Sequence, residues 1–137
     1  MKIKKLRFIC FLIAALFFFN GCEDAEESDT YNFKVTSSDG QFEGYYMVDG
    51  GSMQYFSCET ASGNTSFYTY QENLSSPGSI TIYAKGTDIS ATSISIYIYE
   101  NDVLGDSITV SQSTDSDGNA LKVVATLSYT FNEDEDE

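Results

Sequence analysis

The sequence predicts an all-β protein, an antiparallel β-sandwich of about seven or eight strands between residues 31 and 131. Apolar and polar residues alternate with a period of two along most of this range, and no stretch has the period of an amphipathic helix. Turn signals recur roughly every 8–12 residues, which is typical of sandwiches and small barrels. Alternation of this kind suits sheets with one face in the core and one in water.

The strands can be placed in order along the chain. They are predicted at residues 31–36, 42–48, 52–58, 67–71, 80–84, 93–99, 108–110 and 121–131. Gly, Asp, Asn and Ser separate them, as turns require. The register of the third strand stays open: either Met53 and Tyr55 or Phe56 and Cys58 face the core.

The last strand is predicted to be the longest, and its apolar positions are Leu121, Val123, Ala125, Leu127, Tyr129 and Phe131. We expect Leu127 to point into the core and Thr126 to point to water. A long alternating strand at a sheet edge invites aggregation, so this strand is predicted to lie centrally.

Residues 1–21 are predicted to be an export signal. Basic residues precede an unbroken apolar run at residues 8–19, and no acid interrupts them. A membrane-spanning helix needs about 20 apolar residues, so this run is short for one. A retained membrane helix remains the alternative.

The signal ends in Phe19-Asn20-Gly21-Cys22, which resembles the lipobox of bacterial lipoproteins. The commonest form of that motif has Leu at Phe19's place and Ala or Ser at Asn20's. The resemblance implies that Cys22 is lipidated and that cleavage follows Gly21. Two or three acyl chains would anchor a small domain firmly, whereas one holds only marginally. The alternative is an ordinary signal peptide with an incidental cysteine.

Cleavage would leave three parts: a lipidated cysteine with an acidic tether at residues 22–30, the sandwich at 31–131, and an acidic disordered tail at 132–137. All 21 acids but only three of the seven bases follow the cut, so the formal charge would be −18. Such a charge argues against nucleic acid as a partner, because binding to nucleic acid depends on Lys and Arg neutralising phosphates. It also disfavours lying on an anionic membrane surface.

Asp115, Asp117 and Asn119 alternate around Gly118, a spacing at which oxygen ligands can bind Ca²⁺. A calcium loop of the EF-hand type needs a further acid downstream, and residues 121–127 contain none. The same residues suit a turn, which is the interpretation we prefer, so no metal site is predicted.

The mature chain contains all ten tyrosines. Six tend to fall opposite the aliphatic positions of their strands: Tyr45, Tyr68, Tyr70, Tyr83, Tyr97 and Tyr99. With suitable strand pairing they would form an aromatic face on one sheet, and tyrosine suits binding because it combines a large apolar area with a polar tip. The alternative is that tyrosine is simply a good strand former.

The block from Ile94 to Phe131 contains a strand, the tetrapeptide Glu-Asn-Asp-Val, a Ser/Thr-rich strand and a last strand that ends Ser-Tyr-Thr-Phe. This order resembles MmpS-type small envelope proteins, over about a quarter of the chain. Those proteins have an immunoglobulin-like sandwich and accompany lipid-exporting transporters. The resemblance therefore supports the predicted fold.

The sequence contains no nucleophile motif, metal-ligand cluster or phosphate-binding loop. It has no histidine, so the lone thiol of Cys58 cannot form a Cys–His pair. We expect a non-enzymatic protein without cofactor, held by lipid on Cys22 at the outer membrane of the cell envelope, whose sandwich binds an envelope partner. The alternative is an accessory subunit of an envelope transporter or assembly complex.

Overall fold

The computed structural model describes residues 29–63 and 65–131. Within these residues the chain forms eight β-strands and no helix, which confirms the predicted all-β class. The strands are β1 (Tyr31–Ser38), β2 (Phe42–Val48), β3 (Gln54–Cys58), β4 (Phe67–Leu74), β5 (Ser79–Gly86), β6 (Ser93–Glu100), β7 (Val103–Ser111) and β8 (Val124–Thr130).

The strands form two antiparallel sheets that pack face to face. Sheet I has the order β4-β1-β6-β7, and sheet II has the order β3-β2-β5-β8. Consecutive strands pair only in the β2–β3 and β6–β7 hairpins, and the other connections cross from one sheet to the other. The molecule is thus a β-sandwich with an immunoglobulin-like architecture.

The core lies between the sheets and is built mainly from every second residue of strands in both sheets. Its buried members from β1, β2, β3, β5 and β6 are Phe33, Val35, Phe42, Phe56, Ile80, Ile82, Ala84, Ile94, Ile96 and Ile98. The structure also decides the register of β3. Phe56 is 6% exposed and Tyr55 is 77% exposed, so Phe56 and Cys58 occupy the inner side.

The two hairpins use turns that match the twist of their strands. Asp49 and Gly50 have φ values of 51° and 67°, and Asn101 and Asp102 have values of 50° and 61°. Positive φ at both central residues defines the type I′ turn, which Asn, Asp and Gly adopt most readily. The second turn pairs Glu100 directly with Val103, so β7 begins earlier than the sequence predicted.

Both ends of the described chain lie at the same end of the sandwich, here called the tether end. The Thr30 N–H donates to Asn101 Oδ1 over 2.9 Å, and the Asn101 side-chain amide donates to Asp29 Oδ1 over 2.9 Å. At the other terminus, the rings of Tyr31 and Phe131 meet edge to face at 5.0 Å. The predicted export signal, most of the tether at 22–30 and the acidic tail at 132–137 lie outside the described residues.

The prediction of a long, central last strand is wrong. β8 covers only Val124–Thr130 and is an edge strand of sheet II, whereas β7, with nine residues, is the longest strand. Leu121 is 44% exposed and its N–H bonds the Ser113 carbonyl in the preceding loop. The alternation of apolar and polar residues identified the buried face correctly at Val123 and Ala125. It shows which face is buried, but not whether the strand pairs with one neighbouring strand or with two.

Candidate functional site

The outer face of sheet II has a row of three tyrosines on three neighbouring strands. In the antiparallel register Tyr45 of β2 lies opposite both Tyr55 of β3 and Tyr83 of β5. The Tyr45 and Tyr83 rings stack with centroids 5.1 Å apart and planes 16° apart. Tyr55 meets Tyr45 at 6.1 Å and 63°. These three residues are called the tyrosine row.

A polar row lies beside the tyrosine row, one pleat further from the tether end. Ser57, Glu43 and Lys85 lie opposite one another on the same three strands. Lys85 Nζ lies 3.0 Å from Glu43 Oε1, and both side chains are more than two-fifths exposed. The hydrogen bond to Glu43 raises the pKa of Lys85 above its ordinary value of 10.5, so the ammonium group is fully charged at neutral pH.

The two rows line a shallow depression of about 560 Å³. Its lining residues are Glu43, Gly44, Tyr45, Tyr55, Phe56, Ser57, Tyr83 and Lys85. Aromatic walls with a few placed polar groups are the usual chemistry of a ligand site. The depression is open to solvent, so it suits a ligand that lies along the sheet.

The sheet beneath the depression is held by close packing around Gly44. A Cβ at this position would overlap the Tyr83 carbonyl oxygen and lie 2.7 Å from Phe56 Cζ. The space that a side chain would fill is therefore taken by Phe56, whose ring stacks on Tyr70 of the opposite sheet at 4.6 Å and 13°. Phe56 thus fixes β3, and with it Tyr55, against the core.

The prediction of six tyrosines on one face is wrong. Of these six, only Tyr45 and Tyr83 share the outer face of sheet II, whereas Tyr97 and Tyr99 lie on sheet I, where their ring centroids are 6.5 Å apart. Tyr68 and Tyr70 pack inward against the core. The residues between Phe67 and Leu74 include no aliphatic side chain to mark the buried face, so the parity of β4 could not be read from the sequence.

Tyr70 has a structural role that explains its inward position. Its hydroxyl donates to Glu72 Oε2 over 2.6 Å, so the polar tip is satisfied although the ring is packed. Burial, together with this hydrogen bond, raises the pKa of Tyr70 well above its ordinary value. Tyr70 is therefore a neutral donor at any physiological pH and contributes to the core rather than to a binding surface.

Sequence reasoning missed Tyr55 as a site residue. Its strand had two open registers, and only the pairing of Tyr55 with Tyr45 places it in the row. Its hydroxyl lies 3.4 Å from Met53 Sδ, and Met53 is itself 47% exposed. The sequence did offer one signal. Phe56 and Cys58 are two residues apart, as buried residues of a strand are, and assigning them to the core would have placed Tyr55 on the outer face.

The three residues considered for calcium form a turn. One Asp115 oxygen accepts from the Asp117 and Asn119 N–H groups at 2.9 and 2.8 Å, and the other accepts from Asn119 Nδ2 at 3.1 Å. These hydrogen bonds, led by that of the Asn119 N–H, lower the pKa of Asp115. Across the part of the chain that the structure describes, no three His, Cys, Asp or Glu residues are grouped to hold a metal ion.

The cysteines fall on both sides of the described boundary. Cys58 is half-buried, and its thiol lies 3.4 Å from the Thr69 carbonyl oxygen, to which it donates. Cys22 and Gly21, the predicted lipidation and cleavage residues, lie outside the described residues.

In residues 29–63 and 65–131, no helix has the length and apolar character needed to cross a membrane.

The chain matches no protein-family model, no curated protein and no solved structure.

Proposed function

We propose that this protein is a non-enzymatic lipoprotein, anchored in the cell envelope through Cys22, that presents the outer face of sheet II as a binding surface. The observation that carries the binding part is the outward-facing tyrosine row, in which Tyr55 is exposed and Tyr45 and Tyr83 are half-buried, beside the polar row and its depression. Tyrosine is favoured in binding surfaces because it brings a large contact area with few rotatable bonds.

The placement of the chain ends supports an orientation in which the depression lies away from the membrane. The tether from Cys22 enters at Tyr31, at the tether end of the sandwich. The depression is lined from β2 by residues 43–45, which lie toward the end of that strand near Phe42. Phe42 pairs with Gly86, while Val48 and Ile80 lie near the tether end. A molecule anchored at Cys22 would therefore hold the depression in the half of the sandwich that is further from the membrane.

The anchor is tested by Cys22→Ala in the full-length chain expressed in bacterial cells. We expect wild-type protein in the membrane fraction with an acylated Cys22 at its amino terminus. The variant should accumulate unprocessed or be released, because it lacks the cysteine of the proposed lipobox. Cys58→Ser is the matched control, since it also removes a cysteine of the mature chain but should leave fractionation unchanged.

Mass spectrometry of the mature amino terminus decides whether Cys22 carries the lipid anchor. A wild-type terminus at any residue other than Cys22, or an unmodified Cys22, would contradict the proposed anchor. Equal loss of membrane attachment in Cys22→Ala and Cys58→Ser would do the same.

A further inference from the structure

The geometry points to a neutral polysaccharide as the ligand of the depression beside the tyrosine row. This inference rests on the proposed function, because it assumes that the outer face of sheet II is the binding surface. It adds the chemical class of the ligand.

The aromatic groups suit a chain of sugar rings. The tyrosine row crosses three strands, so it extends over about 10 Å, twice the spacing of neighbouring strands. A pyranose ring carries C–H groups on its faces and hydroxyl groups around its rim, so it can pack on an aromatic ring while its rim stays hydrogen-bonded. Tyr55, 77% exposed, leaves its ring open to such contact.

The polar row supplies partners for sugar hydroxyls. Lys85 has three N–H donors and the Glu43 carboxylate has only acceptors, and their ion pair uses a single contact of 3.0 Å. The remaining capacity of both groups faces solvent in the depression. A hydroxyl group can accept from Lys85 and donate to Glu43 at the same time, whereas an aliphatic ligand would leave the remaining donors of Lys85 and acceptors of Glu43 unused.

Charge selects a neutral ligand over an ionic one. Glu43 and Lys85 balance each other, so the site has no net charge, while the chain that remains after the proposed cleavage has a formal charge of −18. An anionic polymer would be repelled by the molecule as a whole. A cationic polymer would be attracted by the molecule as a whole. Within the site, however, it would meet the Lys85 ammonium group at one end of the polar row. A neutral polyhydroxyl chain avoids both costs.

The test is affinity electrophoresis of the processed, lipidated protein in neutral detergent. The gels contain one soluble polymer each: a β-glucan, a mannan, a galactomannan or an arabinoxylan as neutral probes, and alginate as the anionic probe. We expect at least one neutral polymer to retard the protein and alginate to leave it unretarded. Tyr55→Ala should weaken that retardation roughly tenfold, as expected for truncation of the most exposed aromatic contact in the row.

Tyr97→Ala is the matched control, because it makes the same substitution on the outer face of sheet I. It should leave the retardation unchanged. Lys85→Gln should weaken the retardation, while Tyr55→Phe, which keeps the ring, should preserve most of it. The inference is overturned if no neutral polymer retards the protein, if alginate retards it equally, or if Tyr97→Ala weakens binding as much as Tyr55→Ala.

A further arm separates this inference from the proposed function. Wild-type protein and the Tyr55→Ala variant are used to capture material from envelope extracts. If a protein is captured in a Tyr55-dependent way and no neutral polymer retards the chain, the polysaccharide inference fails and the binding surface stands. If the mature amino terminus is not an acylated Cys22, the proposed anchor fails whatever the gels show.

Discussion

Ser37 places a hydroxyl group in the core at a position that would suit an apolar side chain. It is 1% exposed, and its Oγ has no hydrogen-bond partner among the described residues. A buried polar group without a partner loses its hydration and gains nothing in return, at a cost of about 1–3 kcal/mol. Ser37 is thus a local defect in an otherwise apolar strand face.

Removing that hydroxyl should stabilise the protein. We expect Ser37→Ala to raise the free energy of unfolding by about 1 kcal/mol, measured by urea unfolding of the full-length chain. Ser95→Ala is the matched control, because Ser95 is also buried but its Oγ lies 2.8 Å from Thr109 Oγ1. That variant should lose stability. If both variants lose stability equally, the Ser37 hydroxyl has a partner in solution.

At the scale of the element, β8 shows what an alternating pattern can decide. Its inward side includes Ala125, which is buried, and Leu127, which is half-buried against the core. Thr126 lies on the outer face opposite Tyr83. Because β8 is an edge strand, Leu127 is less enclosed than the predicted central position implied.

The contrast between these neighbours tests the face assignment. Leu127→Ala should lower the free energy of unfolding by roughly 1–3 kcal/mol, less than the loss typical of a fully enclosed leucine, because part of the side chain is already hydrated. Thr126→Ala should cost less than about 1 kcal/mol, as surface changes usually do. Urea unfolding measures both. A larger loss at Thr126 would show that the two faces are exchanged.

At the scale of the whole molecule, acidic residues greatly outnumber basic ones. The chain has 21 acids against seven bases, and only one ion pair, Lys85–Glu43, joins side chains within the described residues. That pair is exposed, so it contributes little to stability. We therefore expect the repulsion among the many acidic side chains to outweigh the attraction between Lys85 and Glu43, so that screening by salt gives a net stabilisation.

Added salt should raise the melting temperature. The screening length falls from about 30 Å at 0.01 M to about 10 Å at 0.1 M, so repulsion between separated acids weakens over that range. For a domain of this size, each 1 kcal/mol of relief corresponds to a rise of about 4 °C or more. Thermal unfolding in NaCl measures the effect, with equal osmolality of sucrose as the control. A melting temperature that falls with salt would contradict this account.

The sequence by itself determined the fold class, the number of strands and most of the core. Residues such as Phe33 and Ile96 could be assigned to the core because a strand alternates strictly between its two faces, and this period is written in the order of the residues. Asp49 and Gly50 also suit the turn between β2 and β3, because few residue types readily accept the positive φ that both adopt there.

Only the tertiary structure decided which strands share a sheet. Tyr55, Tyr45 and Tyr83 form one row, and Glu43 meets Lys85, because β3, β2 and β5 are neighbours in sheet II. Every strand offers the same backbone donors and acceptors, so local sequence does not choose its partners. That choice depends on how distant side chains, such as Phe56 on Tyr70, fill the space between the two sheets.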